Sequence, residues 1–472
     1  MTTFGTNIDS AYRRESDWSV DRRKRLNAIV MWVLLVFIAL TPLPFGSVYP
    51  FSWGLSALVV GLATLGYMVC LSRIGISLRV SLSDIGPPVF IFGAFCCYLL
   101  LQIVPIGLVV PSLTAFDVNG MTFQSATLSV ASDQTLLMLT RHLTYGMLFF
   151  LIVQVTQNPD RRQLFMKAIL VVIALYCAQS VISLQAGDTV LGIAKRSYIG
   201  SATGTFINRN SFATFLAIGA VVALAQVGNN VVRQSTRHQH DGTVPGVMGN
   251  IAIYGIIFLV LFAVVFATNS RMGVFCAIAG SAVIIAIVFG RIARSVVAIS
   301  TMVGAVVVAS IAALLLFGES LFERTIDVEA SSGQRLEIYR QILDLIAMRP
   351  LTGFGGGSFE QIFQFVHKLP VSPDFIWNRA HNSYLSLWSE MGLVFGSLPV
   401  IALVLIGVRL IRALREETPA WAVQATGLAV LVIAAVHSLV DFSLEIQANS
   451  IFFVALIATA VGSTYAPNQK RR

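Results

Sequence analysis

The chain has 472 residues, of which 56% are hydrophobic and only 12% are charged, and its formal net charge is +9. Soluble domains carry roughly 25% charged residues, so a soluble chain of this composition would lack the polar surface needed to cover its apolar residues. Apolar runs close to the ~20 residues that cross a bilayer recur along nearly the whole sequence. The composition therefore excludes an ordinary soluble protein and predicts an all-α polytopic membrane protein.

The apolar runs predict about 12 transmembrane helices. Their approximate positions are 28–45, 53–72, 86–108, 136–156, 165–185, 211–228, 250–268, 272–290, 295–317, 391–411, 424–440 and 449–466. The chain is thereby divided into five predicted parts: an N-terminal tail at 1–27, the first nine helices within 28–317, an extramembrane region at 318–390, three helices within 391–466 and a C-terminal tail at 467–472.

Lys and Arg are distributed unevenly between the connecting segments. Most of the 32 fall on the side of the two termini, whereas the short connections at 46–52, 109–135 and 441–448 hold none. Because cytoplasmic loops are enriched in Lys and Arg, this asymmetry predicts that both termini are cytoplasmic. The region 318–390 is then expected on the outer face.

The region 318–390 contains more Asp and Glu than Lys and Arg, which argues against a nucleic-acid partner. Ser331 and Gln334 resemble a capping box, and apolar residues at helical spacing follow as far as Pro350. Ser358 is placed to open a second short helix. The sequence predicts two short amphipathic helices that lie on the membrane or over the mouth of a cavity.

His381 and Asn382 lie where this region meets the predicted tenth helix. Imidazole has an ordinary pKa near 6.5, so a histidine beside a membrane cavity is suited to act as a general base. Asn382 is a good helix cap, and a capped helix start can present N–H groups to an anion. The alternative is that His381 joins Tyr384 and Trp388 in an interfacial aromatic belt.

Arg209 and Arg271 stand at the outer ends of the predicted sixth and eighth helices, between polar neighbours. Arginine costs about 3 kcal/mol at a membrane helix centre and less near the interface, so it usually faces a wet cavity or a partner. Two planar guanidinium groups suit a diphosphate, which each can bind bidentately. The alternative is snorkelling toward lipid headgroups; the polar neighbours favour binding.

Two further pairs are spaced four residues apart, which places both members on one helix face. Arg335 and Tyr339 lie on the first loop helix and are supporting candidates, with an ordinary amphipathic helix as the alternative. His437 and Asp441 lie near the outer end of the predicted eleventh helix, where Asp441 can orient His437. For that pair a structural role is favoured over direct catalysis.

The run from Arg349 to Ser358 is rich in glycine, but no Gly-Lys-Ser/Thr follows, so it is not a nucleotide-binding P-loop. It predicts a tight turn that brings the backbone close to a ligand or a helix. The five cysteines all lie inside apolar runs, and neither CxxC nor HExxH occurs. The sequence therefore predicts no metal and no cofactor.

Four motifs combine into a wider pattern: Asn-Arg-Asn at 208–210, Ser-Arg at 270–271, Arg-Pro-Leu-Thr-Gly-Phe-Gly at 349–355, and His-Asn at 381–382 with Glu390, Gly392 and Gly396. Together they resemble the bacterial O-antigen ligase and O-antigen/exopolysaccharide polymerase superfamily. The resemblance covers most of the chain, and the His-Asn motif is its most specific part.

The resemblance implies a glycosyltransferase of the bacterial inner membrane, metal-independent and inverting, with the region 318–390 in the periplasm. It implies that His381 is the catalytic base or positions the acceptor, and that Arg209 and Arg271 hold the diphosphate of an undecaprenyl-linked donor. The expected partners are the undecaprenyl-diphosphate-linked oligosaccharide, an acceptor glycan or lipid A-core, membrane lipids and other polysaccharide assembly proteins.

Two positions depart from the ligase pattern, because Phe395 stands where ligases often have Gly, Thr or Tyr, and Ala213 stands where they often have Leu. These departures favour a polymerase over a lipid A-core ligase. The alternative from another class is a transporter or flippase of lipid-linked glycans. Such a protein would show charged residues in mid-membrane or two similar halves with broken helices; here mid-membrane charges are scarce and no half-repeat is evident.

Overall fold

Helices follow the apolar runs of the chain, because a segment in hydrocarbon must satisfy its backbone hydrogen bonds internally. The structure is a computed structural model that describes residues 4–118, 120–237, 246–293, 332–374, 376–416 and 418–465. Its helices are α1 (Phe4–Leu40), α2 (Pro50–Ile74), α3 (Leu82–Ile85), α4 (Pro87–Gln102), α5 (Ser132–Val155), α6 (Pro159–Gln185), α7 (Arg209–Arg237), α8 (Val247–Ala267), α9 (Arg271–Ala293), α10 (Ser332–Met348), α11 (Phe359–Val366), α12 (Ser383–Arg415), α13 (Trp421–His437) and α14 (Gln447–Ser463).

Among the described residues, seven helices are long and apolar enough to cross a membrane, by length and composition: α2, α5, α6, α7, α8, α9 and α12. Three shorter apolar helices, α4, α13 and α14, coincide with three further predicted spans. The first predicted span overlaps the end of α1. The predicted helix at 295–317 lies outside the described residues. The fold is that of a multi-pass membrane protein, and the count of about 12 spans stays a prediction.

The helix α7 is the centre of the bundle, with 89% of its most apolar window buried inside the protein. It packs against α8, α9, α13 and α14. Glycine permits a close packing of α7 on α9, because a Cβ on Gly228 of α7 would lie 2.3 Å from Cγ2 of Val288 in α9. The helix α7 and its neighbours are therefore fixed relative to one another.

Two short β-ribbons interrupt the helical pattern in the connections before α5 and before α7. The strand β1 (Ala115–Val118) pairs antiparallel with β2 (Met121–Gln124), and Phe116 lies opposite Phe123. The strand β3 (Thr189–Val190) pairs antiparallel with β4 (Ile193–Ala194). These ribbons were not expected from the sequence, because strands of two to four residues carry too little periodicity to be recognised.

The two short helices predicted between 318 and 390 are α10, which ends at Met348 just before Pro350, and α11, which directly follows Ser358. Their apolar faces form one buried cluster with the segment that leads into α12. Its members are Ile338, Ile342, Ile346, Phe359, Phe363, Val371, Trp377, Ala380 and Leu385. The cluster fixes the chain immediately around residue 381.

The helix α12 begins at Ser383, well before the predicted start at 391, and breaks at Gly392, where φ is 71° and ψ is 168°. A Cβ on Gly392 would lie 2.3 Å from the carbonyl oxygen of Leu351. A Cβ on Gly353 would lie 2.4 Å from the carbonyl oxygen of Glu390. The glycine-rich turn therefore packs its backbone on a helix, at the break in α12.

Candidate functional site

The helices α7 and α9 begin side by side at one end of the bundle. Asn208 Oδ1 accepts a hydrogen bond from the Ser211 N–H at 3.2 Å at the start of α7. Ser270 Oγ accepts one from the Gly273 N–H at 3.1 Å at the start of α9. The two helices touch here, since a Cβ on Gly273 would lie 2.3 Å from the Cβ of Ala213.

Arg209 and Arg271 are the first residues of these two helices, so the contact places both arginines at the same end of neighbouring elements. The guanidinium carbon of Arg209 lies 5.2 Å from the centroid of the Tyr198 ring. Arg271 is exposed. A helix N-terminus carries a partial positive charge that adds to that of an arginine. The paired helix starts thus form a cationic surface suited to a phosphate-bearing ligand.

The connection that carries Tyr198 is held rigidly. Lys195 forms an ion pair with Asp188 and donates a hydrogen bond to the carbonyl oxygen of Ser201 at 2.6 Å. Asn269 Nδ2 donates to Ser201 Oγ at 3.1 Å, which ties this connection to the start of α9. The Lys195–Asp188 pair is not recognisable from the sequence as part of the site, but it holds the segment that positions the Tyr198 ring beside Arg209.

His381 directly precedes the cap of α12 and has a left-handed backbone, with φ of 52°. Its ring lies edge-on to two aromatic rings, 5.1 Å from that of Phe442 and 6.2 Å from that of Trp377. The hydroxyl of Tyr339 on α10 donates to the His381 carbonyl oxygen at 2.9 Å. Tyr339 therefore holds the backbone of the candidate base. Arg335 lies on the same helix, and its side chain lies outside the described part of the chain.

Tyr384 and Trp388, the other two residues of the alternative aromatic belt, form hydrogen bonds within the protein. The Tyr384 hydroxyl donates to the carbonyl oxygen of Ala435 at 2.9 Å, and Trp388 Nε1 donates to Ser397 Oγ at 3.0 Å. Both polar groups thus have partners within the protein. The rings that lie edge-on to His381 are those of Trp377 and Phe442.

Asn382 caps α12 and also joins it to α13. Its Oδ1 accepts from the Leu385 N–H at 3.0 Å, and its Nδ2 donates to the Leu439 carbonyl oxygen at 2.8 Å. The next residue repeats the link, since the Ser383 N–H donates to the Ser438 carbonyl oxygen at 2.9 Å. Asn382 therefore has the capping role expected from the sequence, and it fixes His381 against the end of α13.

His437 and Asp441 are both buried, with 2% of each residue exposed, and His437 Nε2 lies 3.9 Å from Asp441 Oδ2. The other ring nitrogen, Nδ1, contacts the hydroxyl of Thr214 in the second turn of α7. Asp441 Oδ2 also accepts a hydrogen bond from Ser443. The pair therefore connects α7 with the turn next to Phe442, the ring on which His381 packs. This geometry suits a positioning role.

Arg379 and Glu445 form a part of the site that sequence reasoning missed. Arg379 Nη1 lies 3.0 Å from Glu445 Oε2. Arg141 of α5 donates to the Glu445 carbonyl oxygen, and its guanidinium carbon lies 4.3 Å from the centroid of the Trp53 ring. Burial raises the pKa of Glu445, and the charges of Arg379 and Arg141 partly oppose this rise. The sequence contains a signal for this pair, because Arg379 stands two residues before His381 and Glu445 stands four residues after Asp441.

The Arg349 motif has a structural role. Arg349 Nη1 and Nη2 each donate at 3.1 Å, to the carbonyl oxygens of Leu128 and Leu113. Burial lowers the pKa of this guanidinium. The Gly356 N–H donates to Gln102 Oε1 at 3.0 Å. These bonds anchor the glycine-rich turn to the end of α4 and to the connection before α5, and they occupy the Arg349 guanidinium with carbonyl groups of the protein.

Apart from Arg335, whose side chain is not among the described residues, the sequence-predicted site residues lie at or next to one end of the bundle, which we call the site end: the starts of α7, α9, α12 and α14 and the end of α13. His381 packs on Phe442, the adjacent Asp441 contacts His437, and His437 contacts Thr214, one turn beyond Arg209. Within the described ranges no group of three or more His, Cys, Asp or Glu side chains is arranged to hold a metal ion. The arrangement combines an imidazole with two arginines at helix starts.

Residues 256–398 match the family model described as O-antigen ligase. The matched segment runs from α8 to the middle of α12 and includes Arg271, Tyr339, His381 and Asn382, whereas Arg209, His437 and Asp441 lie outside it. No curated protein matches the chain. Over this segment, the chain is similar to the O-antigen ligase family.

Proposed function

We propose that the protein is a membrane glycosyltransferase that transfers or polymerises an undecaprenyl-diphosphate-linked glycan on the periplasmic face of the bacterial inner membrane. One observation carries this proposal. The starts of α7 and α9 place Arg209 and Arg271 side by side at the end of the bundle where Asn382 fixes His381 against α13. A diphosphate leaving group and an acceptor hydroxyl need these two kinds of group near each other.

In the proposed reaction the acceptor hydroxyl oxygen attacks the anomeric carbon of the donor sugar. The bond between that carbon and the diphosphate oxygen breaks, and undecaprenyl diphosphate leaves with the electron pair. His381 takes the proton of the hydroxyl, and the two arginines bind the charge of the departing diphosphate. Because attack and departure occur on opposite faces of the carbon, one displacement inverts the anomeric configuration.

The remaining residues support this site by position. Tyr339 and Asn382 hold the backbone on either side of the imidazole. His437 and Asp441 connect the turn next to Phe442 to α7. A general base contributes about 10²- to 10⁴-fold to a rate, so positioning and charge stabilisation must supply the rest. Arg379 and Glu445 belong to this supporting set, because they anchor the segment that carries His381.

We favour polymerisation, the joining of one lipid-linked repeat unit to another, over transfer to lipid A-core. The departures at Phe395 and Ala213 support this choice. Deletion of the gene distinguishes the two. Loss of a surface polymer with unchanged lipopolysaccharide supports a polymerase, whereas full-length polymer that accumulates on the lipid carrier supports a ligase.

The competing function is a transporter or flippase of the same lipid-linked glycans. The assay uses purified protein with an undecaprenyl-diphosphate-linked oligosaccharide and measures release of undecaprenyl diphosphate. Release together with a lengthened glycan is the result expected here. Movement of the intact donor across a vesicle membrane without release would support the transporter instead.

A further inference from the structure

A second group of arginines lies at the end of the bundle opposite the site end. Arg23 is on α1, Arg79 is in the connection between α2 and α3, and Arg161 is in the first turn of α6. The three guanidinium groups and the Tyr67 hydroxyl are close enough to act on one another electrostatically. Tyr67 is 2% exposed, so its side chain forms a buried wall beside the charges.

Two of these arginines are held in place by consecutive residues at the end of α5. Gln154 is fully buried, and its Oε1 accepts from the Arg79 N–H at 3.2 Å while its Nε2 donates to the Val80 carbonyl oxygen at 2.6 Å. Arg161 Nε donates to the Val155 carbonyl oxygen at 3.0 Å. The arginines are therefore brought together by the fold and are not independent surface side chains.

The cluster contains buried donors that the described protein leaves unsatisfied. Arg23 Nε and Arg161 Nη2 are buried and have no hydrogen-bond partner among the described residues. Asn27 lies one helical turn after Arg23 on the same face of α1 and is 1% exposed, and both polar atoms of its side chain lack a partner in the same part of the structure. Buried polar groups are nearly always hydrogen-bonded in folded proteins, so these donors require an acceptor that the described residues do not provide.

Charge leads to the same conclusion. Within the described ranges, no carboxylate forms an ion pair with Arg23, Arg79 or Arg161. The carbonyl groups at the end of α5 provide only a partial negative charge. Arg409, at the same end, has partners within the protein: its Nε lies 2.9 Å from Thr464 Oγ1, and its guanidinium carbon lies 4.0 Å from the centroid of the Tyr465 ring.

We propose that Arg23, Arg79 and Arg161, together with Asn27 and Tyr67, bind a phosphate group at this end of the bundle. Guanidinium groups bind phosphate oxygens bidentately, Asn27 Nδ2 adds a neutral donor, and a basic pocket between helices at a membrane surface is the kind of site that holds an anionic headgroup. Two sources share this chemistry, the phosphodiester of an anionic lipid and free inorganic phosphate. This site is separate from the proposed transfer reaction, which takes place at the other end of the bundle.

The test measures binding of phosphatidylglycerol, phosphatidylcholine and inorganic phosphate to the purified full-length protein, by native mass spectrometry and by thermal shift. Arg161→Gln removes a buried donor. Arg79→Gln is the variant least able to disturb folding, because Arg79 is exposed and its backbone N–H, not its side chain, bonds to Gln154. Arg25→Gln is the matched control, an exposed arginine on the same helix as Arg23.

We expect the wild type to bind phosphatidylglycerol in preference to phosphatidylcholine, and each site variant to lose about tenfold in affinity while Arg25→Gln is unchanged. If inorganic phosphate displaces the lipid and stabilises the wild type but not Arg161→Gln, the site is confirmed and free phosphate is its ligand. The proposal would be overturned if Arg161→Gln and Arg79→Gln bound phosphatidylglycerol and inorganic phosphate as strongly as the wild type does.

Discussion

Arg379 Nη1 lies 3.0 Å from Glu445 Oε2, and this ion pair joins the segment that carries His381 to the short connection between α13 and α14. The partners are separated by 66 positions in the sequence. The carboxylate is also close to Arg141, which donates to the Glu445 carbonyl oxygen. The pair therefore couples the position of the candidate base to the packing of three helices.

The pH dependence of stability is predicted to change in Glu445→Gln. Because burial raises the pKa of Glu445, the folded state binds a proton more tightly than the unfolded state, in which the pKa is about 4.3. The stabilising contribution is complete below the unfolded pKa and is lost as pH rises through the raised folded pKa. Thermal unfolding is measured while pH rises from the unfolded pKa through the raised folded pKa. Over this range the wild type should lose stability relative to Glu445→Gln.

In the same variant, Arg379 loses a charge-assisted hydrogen bond, so transfer should fall although stability at neutral pH is kept or raised. A useful control is Glu337→Gln, since Glu337 pairs with the exposed Arg340 on α10 and such surface pairs contribute little. Equal pH profiles for wild type and Glu445→Gln would show that this carboxylate does not titrate as described.

Replacement of His381 tests the base. His381→Ala should lower single-turnover transfer by about 10²- to 10⁴-fold and leave donor binding nearly unchanged, because the imidazole acts on the acceptor hydroxyl. His381→Gln preserves more of the packing on Phe442 and should be equally inactive. His367→Ala is the control histidine in the same extramembrane region. A fully active His381→Gln protein would return this residue to a structural role.

Replacement of the two arginines should have a different effect. Arg209→Gln and Arg271→Gln each remove charge-assisted hydrogen bonds worth about 1.5–3 kcal/mol, so donor affinity should fall roughly ten- to a hundredfold along with turnover. Lysine at either position should restore only part of the loss, because a point charge cannot form the bidentate fork. Donor binding by the purified variants is the measurement, with exposed Arg196→Gln as control. Unchanged donor binding in both glutamine variants would remove the diphosphate assignment.

The packing of the glycine-rich turn on α12 predicts a strong effect of Gly392→Ala. A Cβ at this position meets the Leu351 carbonyl oxygen at 2.3 Å, and the φ of 71° disfavours alanine. We expect a lower thermal midpoint and reduced transfer. Gly120→Ala separates the two causes, since Gly120 has a φ of 79° and no atom within 4 Å of its Cβ position. Similar losses in both variants would show that backbone strain, and not the close approach, matters.

The orientation is tested by cysteine labelling. In a chain whose exposed Cys70 and Cys97 are replaced by serine, Glu360→Cys should react with a membrane-impermeant maleimide added to intact spheroplasts, and Arg25→Cys should react only after lysis. The reason is the asymmetry of Lys and Arg between the two faces. Labelling of residue 360 only after lysis would place the site end in the cytoplasm and exclude the proposed reaction.

The sequence by itself determined the elements and the candidates. Long apolar runs form helices because the hydrocarbon core of a membrane provides no alternative partner for the backbone, and this rule acts locally. Capping is local as well, which is why Asn382 was recognised as the cap of α12 from neighbouring residues. Arg209 and Arg271 are candidates from the sequence because arginine beside an apolar helix is unfavourable without a partner.

Only the tertiary structure decided which of these residues meet. Thr214 and His437 are 223 positions apart, and Gly353 and Gly392 touch only because the turn after α10 folds back on α12. The Arg379–Glu445 pair depends on the packing of α5, α12 and α14 around one short connection. Contacts of this kind arise from the shape complementarity of packed helices, which has no periodic or local signal in the chain. The position of Arg349 shows the same limit, since its motif is compatible with ligand binding until its two carbonyl partners are known.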